Sequence, residues 1–313
     1  MSRVIATGSY LPDNYLTNEA LIQLAQIDSS DEWIKQRTGI QGRHFISDNQ
    51  TVADLAIYAA KKALEKLDRD ICHEIKHIIV ASMSSQGLTP NIASHVQGAL
   101  KAKNAWGFDL NSACNGFITA VEVANQLACS HQTGYTLVIG AEAMSQIIDL
   151  SNRSVSILFG DGAGAILIQH DGAPLRGYRS QLSQQFDDQG AIQLSPNGET
   201  PNMMEMNGRS VFNFVNRTVI NDLCTFLNGG TMDYLISHQA NERLLDLFAK
   251  KLRLDESIIP RNIHKVGNLS AASIPVLIDE MVHKGYLRLD STQKVVLAGF
   301  GGGLSWGFIQ LTL

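Results

Sequence analysis

The chain is short of the features that mark several whole classes of protein. Only 4 of its 313 residues are Cys, set far apart with no C-x-x-C pair, so neither a disulfide framework nor a cysteine metal knot is expected; reduced thiols in a cytoplasm are. Proline is scarce at 7, and charged residues make up 18%, which excludes a low-complexity or disordered chain. Basic residues never run beyond pairs such as Lys61-Lys62 and Lys250-Lys251, and 25 Lys and Arg against 30 Asp and Glu leave a net charge of -5. No nucleic-acid partner is expected. No apolar run approaches the roughly 20 residues of a membrane helix, and the opening MSRVIATGSYLPDN has no apolar core of signal-peptide length. A soluble protein without a membrane partner follows as an expectation.

What is present is an apolar content of 44% with 26 Gly, enough for a sizeable core. Runs rich in Val, Ile and Leu recur as HIIVAS (77–82), TLVIGAE (136–142), AGAILIQH (163–170), DYLISHQ (233–239) and KVVLAGF (294–300), the pattern of strands buried on both faces. Amphipathic segments at 53–67, 117–127, 242–252 and 274–282 predict helices between them, hence an α/β protein. The order strand, loop opening a helix, strand occurs twice, as HIIVAS, FDLNSACNG, TLVIGAE and again as YLISHQANE, IHKVGNLSAAS, VVLAGFGGG. This predicts a duplication about a pseudo-two-fold, with halves 1–172 and 173–313 and functional residues at matching strand ends. The polar, Gln-rich stretch 177–207 is expected to be an excursion, an ordered but mobile loop or hairpin.

Cys114, in GFDLNSACNGF, falls where a strand ends and a helix begins. Helix amides there favour a thiolate, predicting a pKa lowered toward neutrality. A lone Cys is more often a small core residue, and Cys72, Cys129 and Cys224 are read that way. Cys114 differs because His238 in SHQANER and Asn268 in VGNLSAAS occupy matching places in the duplication. FGDGAGA (159–165) breaks the G-x-G-x-x-G dinucleotide pattern, so its glycines are assigned to close strand packing. Cys72, His73 and His77 offer no fourth ligand for a metal.

These segments resemble the 3-oxoacyl-[acyl-carrier-protein] synthase III family of the thiolase-like superfamily, end to end: YLPDNYLTNEAL, SSDEWIKQRTGIQGR, SACNGF, FGDGAGA, SHQANER, GNLSAAS and GFGGGLSWG. The resemblance implies a five-layer αβαβα fold of two duplicated halves, a homodimer, and a catalytic triad of Cys114, His238 and Asn268. It implies decarboxylative condensation of an acyl-CoA starter, carried on Cys114, with malonyl-[acyl-carrier-protein], initiating type II fatty acid synthesis without metal or redox cofactor. Amides of Cys114 and the 301–303 turn, Gly302 preferred, would hold the oxyanion. Trp33 and Arg153, with Arg37 and Thr38 close by, would bind CoA. Arg243 and Lys250, seven apart on one helix face, would meet the acidic carrier protein.

Three positions depart from the family pattern. Thr89 in GLTPN stands where acetyl-CoA users commonly carry Phe before Pro, in the loop that caps the partner's acyl channel, and Leu88 is beside it. Asn115 replaces a small residue, and Leu269 stands where Thr is common; both are expected to touch the pocket. Two alternatives therefore stay open: an acyltransferase or condensing enzyme of secondary metabolism with another donor or acceptor, and a non-catalytic partner subunit.

Overall fold

The computed structural model describes residues 1–313 apart from 86, 131–132 and 196–202, so the middle of the 177–207 segment lies outside the described residues. In chain order the strands are β1 Arg3–Tyr10, β2 Asn14–Thr17, β3 Gly42–Phe45, β4 Ile75–Ala81, β5 Trp106–Leu110, β6 Gly134–Ala143, β7 Asp161–His170, β8 Arg179–Gln184, β9 Ile192–Ser195, β10 Met203–Met206, β11 Tyr234–Ser237, β12 Lys294–Gly301 and β13 Ser305–Thr312. They build a five-stranded sheet in the order β1-β7-β6-β4-β5 and a four-stranded sheet in the order β11-β12-β13-β8, with two-stranded ribbons β2-β3 and β9-β10 beside them. The two sheets repeat a pattern: β4 runs parallel to β6 and β11 parallel to β12, while β6 and β12 each pair antiparallel with the following strand of their sheet, β7 and β13.

Three apolar clusters divide the molecule into five layers. Helices Val52–Leu64 and Ile92–Leu100 bury Leu55, Val96 and a row of alanines on the outer face of the first sheet. Helices Gly116–Ser130 and Ser273–His283 fill the space between the sheets with Phe117, Ile118, Ile274 and Leu277. The outer face of the second sheet is covered by residues such as Leu223, Leu245 and Phe248. The arrangement is αβαβα.

Local chemistry fixes the ends of these helices. Thr51 and Asp54 form a reciprocal capping box at the start of Val52–Leu64. Ser30 caps helix Asp31–Thr38 by accepting from the Trp33 amide, and Gly39 ends it in the left-handed region at φ 78°. Asn241 caps helix Glu242–Leu252 through the Arg243 amide.

The 177–207 stretch is not wholly an excursion. Its first part is β8, which pairs with β13 from Gln184 opposite Ser305 to Arg179 opposite Gln310. An edge strand half open to solvent accepts a polar sequence, so RSQLSQ carries little of the apolar signal by which a central strand is recognised.

FGDGAGA is a packing segment, as its broken spacing implied. A Cβ on Gly164 would lie 2.5 Å from the Val276 amide nitrogen and 2.6 Å from the Pro275 carbonyl carbon, so helix Ser273–His283 rests directly on β7. Gly164→Ala is expected to cost about 1–3 kcal/mol through forced displacement of that helix, read as a lower urea midpoint. An unchanged midpoint would contradict this packing.

Candidate active site

Two turns of one design lie between the sheets. After β5, Asn111 Oδ1 accepts from the Ala113 amide at 3.0 Å, Ala113 takes φ 46°, a short turn Ala113–Asn115 follows, and helix Gly116–Ser130 begins. In the second half Asn268 Oδ1 accepts from the Ser270 amide at 2.8 Å, Ser270 takes φ 48°, the turn Ser270–Ala272 follows, and helix Ser273–His283 begins. Asn111 thus corresponds to Asn268, Ala113 to Ser270 and Cys114 to Ala271. A side-chain acceptor two residues back and one left-handed residue turn the chain sharply, which sets Cys114 at the start of its helix, where amides lack intrahelical acceptors.

Close approach of β12 holds the first turn. A Cβ on Gly301 would lie 2.9 Å from both the nitrogen and the Cβ of Cys114, and one on Gly299 would lie 2.6 Å from Asn115 Oδ1; only glycine allows the strand this near. Ser305 Oγ is within hydrogen-bonding reach of the Ser112 and Gly302 carbonyls, at 3.3 and 3.0 Å, tying the 301–303 turn to the cysteine loop. Among the described residues the amides of Cys114 and Gly302 donate no hydrogen bond.

His238 follows β11, its amide donating to Ala298 O at 2.8 Å and its ring edge-on to Phe300 with centroids 5.2 Å apart. Its Nδ1 is buried and has no hydrogen-bond partner among the described residues. Asn268 is pinned through its backbone, the amide to Leu158 O at 2.8 Å and the carbonyl from Gly160 N at 3.1 Å. With Oδ1 committed to Ser270, Nδ2 is the group it offers. Cys114, His238 and Asn268 line one pocket of about 830 Å³.

Burial reverses the expected titration of Cys114. Rather than falling toward neutrality, the thiol is pushed up to about 12 by desolvation, and desolvation alone pushes His238 down to about 3. Helix amides favour a thiolate, but in a dry site the cost of an isolated charge is larger. Both groups are neutral at pH 7 in the free protein.

At the mouth of the same pocket stand Trp33, Arg37, Arg153 and Arg243. The guanidinium carbons of Arg153 and Arg37 lie 4.7 and 5.4 Å from the Trp33 ring centroid. Arg153 donates to Asp28 O at 2.6 Å and Arg243 to Gln36 O at 2.8 Å. Thr38 is not brought there. It is buried, donating to Ile34 O at 2.7 Å and accepting from the Ile40 amide at 3.0 Å, so it finishes a helix. Gly301 rather than Gly302 forms the pocket wall. Lys250 is exposed one face-repeat along from Arg243. Thr89 sits on an exposed loop beside Leu88, which is 99% exposed, outside this chain's own pocket.

Asn115 and Leu269, expected to touch the pocket, do not line it: Asn115 is held against Gly299, and Leu269 packs with Val266, Ala272 and Val276. Several lining residues escaped sequence reasoning, among them Ile192, Met204, Met206, Arg209 and Phe212, because they come from the β9-β10 ribbon and the helix after it. Arg43 was also missed; it is fully buried and donates to Ile157 O at 2.9 Å, supporting the pocket wall. So was Glu142, fully buried on β6 behind the site. An acid inside the apolar run TLVIGAE was the available signal, since a charge is not placed in a two-sided core without partners.

Family models for 3-oxoacyl-[acyl-carrier-protein (ACP)] synthase III and for its C-terminal part match residues 108–184 and 226–313. A curated beta-ketoacyl-[acyl-carrier-protein] synthase III from Streptococcus suis is 40% identical over 100% of this chain and 99% of its own length. The chain belongs to the 3-oxoacyl-[acyl-carrier-protein] synthase III family. A synthase III of this family from Enterococcus faecalis is 39% identical over the same shares. Among solved structures, the synthase III of Aquifex aeolicus superposes with a TM-score of 0.91 at 33% identity over 100% of both chains. The priming beta-ketosynthase of the R1128 polyketide biosynthetic pathway superposes at 0.92 with 31% identity, covering 100% of this chain and 96% of that one.

Within this synthase III fold, the direction of the Cys114 shift has a direct readout. Only a thiolate alkylates, so inactivation by iodoacetamide is expected to climb about tenfold per pH unit from 7 to 9. A plateau below pH 8 would contradict the burial argument.

Proposed function

We propose that this protein is a beta-ketoacyl-[acyl-carrier-protein] synthase III, which moves an acyl group from acyl-CoA to Cys114 and condenses it, with loss of carbon dioxide, with malonyl-[acyl-carrier-protein] to give a 3-oxoacyl thioester. The observation that carries this reading is the meeting of a nucleophile, Cys114, and two neutral donors, His238 and Asn268, in one pocket, with the uncommitted amides of Cys114 and of Gly302, the residue after the pocket-lining Gly301, beside them.

In the first half-reaction the sulfur of Cys114 attacks the thioester carbonyl, the carbonyl oxygen becomes an oxyanion held by the amides of Cys114 and Gly302, and CoA leaves carrying the thiol proton. In the second, the bond from the malonyl carbon to its carboxylate breaks and carbon dioxide departs. The electron pair remains as an enolate, stabilised by a His238 ring N–H and by Asn268 Nδ2. A His held near 3 by burial is neutral at working pH, which suits a hydrogen-bond donor to an enolate. The carbanion then attacks the acyl carbon, and the Cys114 sulfur leaves as a thiolate that takes up a proton from solvent to restore the thiol. Each step is acyl transfer or thioester decarboxylation, and no metal or redox cofactor is proposed for any of them.

For CoA we infer stacking of its base on Trp33. Two stacked contacts need about 7 Å between planes, and Arg153 stands 4.7 Å from the ring, so Arg153 swings outward as the base enters and then covers it. Arg243 and Lys250, both exposed on helix Glu242–Leu252, are the proposed contacts for the acidic carrier protein. A homodimer is supported by β5, an edge strand that exposes Trp106 by 52%; there the loop bearing Leu88 and Thr89 would reach the partner's acyl channel. The duplicated halves 1–172 and 173–313 are proposed as the units whose matching strand ends supply the site, and a cytoplasmic setting fits the four free cysteines.

The deciding experiment loads the protein with acyl-CoAs from acetyl to dodecanoyl, reads the mass of the Cys114 peptide beside a Cys114→Ser control, and then adds malonyl-[acyl-carrier-protein]. The expected result is an acyl adduct on Cys114 cleared with formation of 3-oxoacyl-[acyl-carrier-protein]. Loading without condensation would point to an acyltransferase, and no loading to a non-catalytic subunit. Trp33→Ala is expected to raise the KM for acyl-CoA about tenfold; an unchanged KM would remove Trp33 from the CoA site.

A further inference from the structure

The two matching turns differ in what faces their amides. At the first, β12 brings Gly301 against Cys114, and the amides of Cys114 and Gly302 stay open. At the second, β6 plays the part of β12. Gly140 there corresponds to Gly299: its Cβ would lie 2.4 Å from Ala271 O, as that of Gly299 would lie against Asn115. Counting on from these glycines, Glu142 takes the place of Gly301 and Ala143 that of Gly302. The amides equivalent to the open pair are therefore those of Ala271 and Ala143. Both are occupied: Ala271 N–H donates to Glu142 Oε1 at 3.4 Å, and Ala143 N–H donates to Ser84 Oγ at 2.8 Å.

The occupants are linked. Ser84 Oγ donates to Glu142 Oε2 at 2.5 Å, Ser82 Oγ reaches the same oxygen at 3.3 Å, and the amide of Met83, a pocket-lining residue, donates to it at 3.1 Å. Every group found on the carboxylate is a donor, so the site is built around an acceptor. It is the second copy of the anion-holding turn, filled from within by the protein's own acid.

Resting on the condensing function proposed above, we infer that Glu142, with Ser84, is a positioning residue for the decarboxylating half of the reaction: by filling the second amide pair it fixes the turn Asn268–Ala271 and so the direction of Asn268 Nδ2. Glu142 touches no reacting atom. Its link runs through Ala271 to Ser270, whose amide holds Asn268 Oδ1, and through Met83 to the pocket lining. The amides that would hold the oxyanion of acyl transfer belong to the other turn and to the residue that follows β12. The carboxylate form of Glu142 also opposes a thiolate at Cys114, so removing that charge is expected to leave the first step no slower.

The test measures the two half-reactions separately in Glu142→Gln, which keeps the shape but turns an amide NH2 toward donors. Cys114 acylation, followed by intact mass after mixing with acyl-CoA, is expected to change by less than about threefold. Carbon dioxide release from malonyl-[acyl-carrier-protein] is expected to fall about 10- to 100-fold in kcat, with KM for that substrate unchanged, the signature of a misplaced donor. Ser84→Ala, which removes one donor and leaves the carboxylate, is expected to shift the same ratio by a smaller factor, and it decides the matter if Glu142→Gln does not fold. Equal losses in both half-reactions, or no loss in either, would overturn the proposal. A wild-type protein that acylates Cys114 yet releases no carbon dioxide would overturn the condensing function and this inference with it.

Discussion

A helix that begins beneath a reactive residue leaves peptide N–H groups with nothing to bond, and in a water-poor pocket each such group seeks negative charge. That condition is kept at Cys114 and cancelled at Ala271, whose amide donates to Glu142. Gly299 and Gly301 bring β12 to within contact of the cysteine turn, and the amides of Cys114 and Gly302 stay without an acceptor among the described residues. Burial pushes the Cys114 thiol up to about 12. The proposed enzyme therefore creates charge only when a substrate supplies its destination, rather than holding a standing thiolate.

Under the proposed function, the two matching turns would serve two half-reactions with opposite needs. Both turns use an Asn acceptor and a left-handed residue to start a buried helix. In the proposed reaction one copy delivers the nucleophile and an open amide pair, and in the other the Asn would be the working group, its amide pair being filled by Glu142 and Ser84. A buried carboxylate is tolerated because donors surround it, although burial still pushes its pKa up to about 7.

Much of this was legible in the sequence, for identifiable reasons. The central strands are two-sided and apolar, so β4, β6, β7, β11 and β12 stand out, and Cys114, His238 and Asn268 fall at echoing places along the chain. What escaped was what depends on non-local environment. The strand β8 is an edge and looks like loop; Met204 and Met206 reach the pocket through a ribbon whose pairing no local pattern announces. Thr38, Asn115 and Leu269 lie within a residue or two of working positions, but their side chains point into helix ends and cores. The Cys114 shift was misjudged because helix chemistry is local and can be read from a motif, whereas desolvation belongs to the whole pocket. Glu142 was visible as an acid in an apolar strand, and its meaning needed the partner turn.

The central claim is that the amides of Cys114 and Gly302 are the open copy of a site that the second turn fills. A crystal structure of the acylated protein tests it most directly. The account predicts the acyl carbonyl oxygen within about 3 Å of both amide nitrogens, with the Glu142 contacts to Ala271 and Ser84 unchanged. A carbonyl oxygen turned instead toward His238 and Asn268, with the two amides still unbonded, would contradict it.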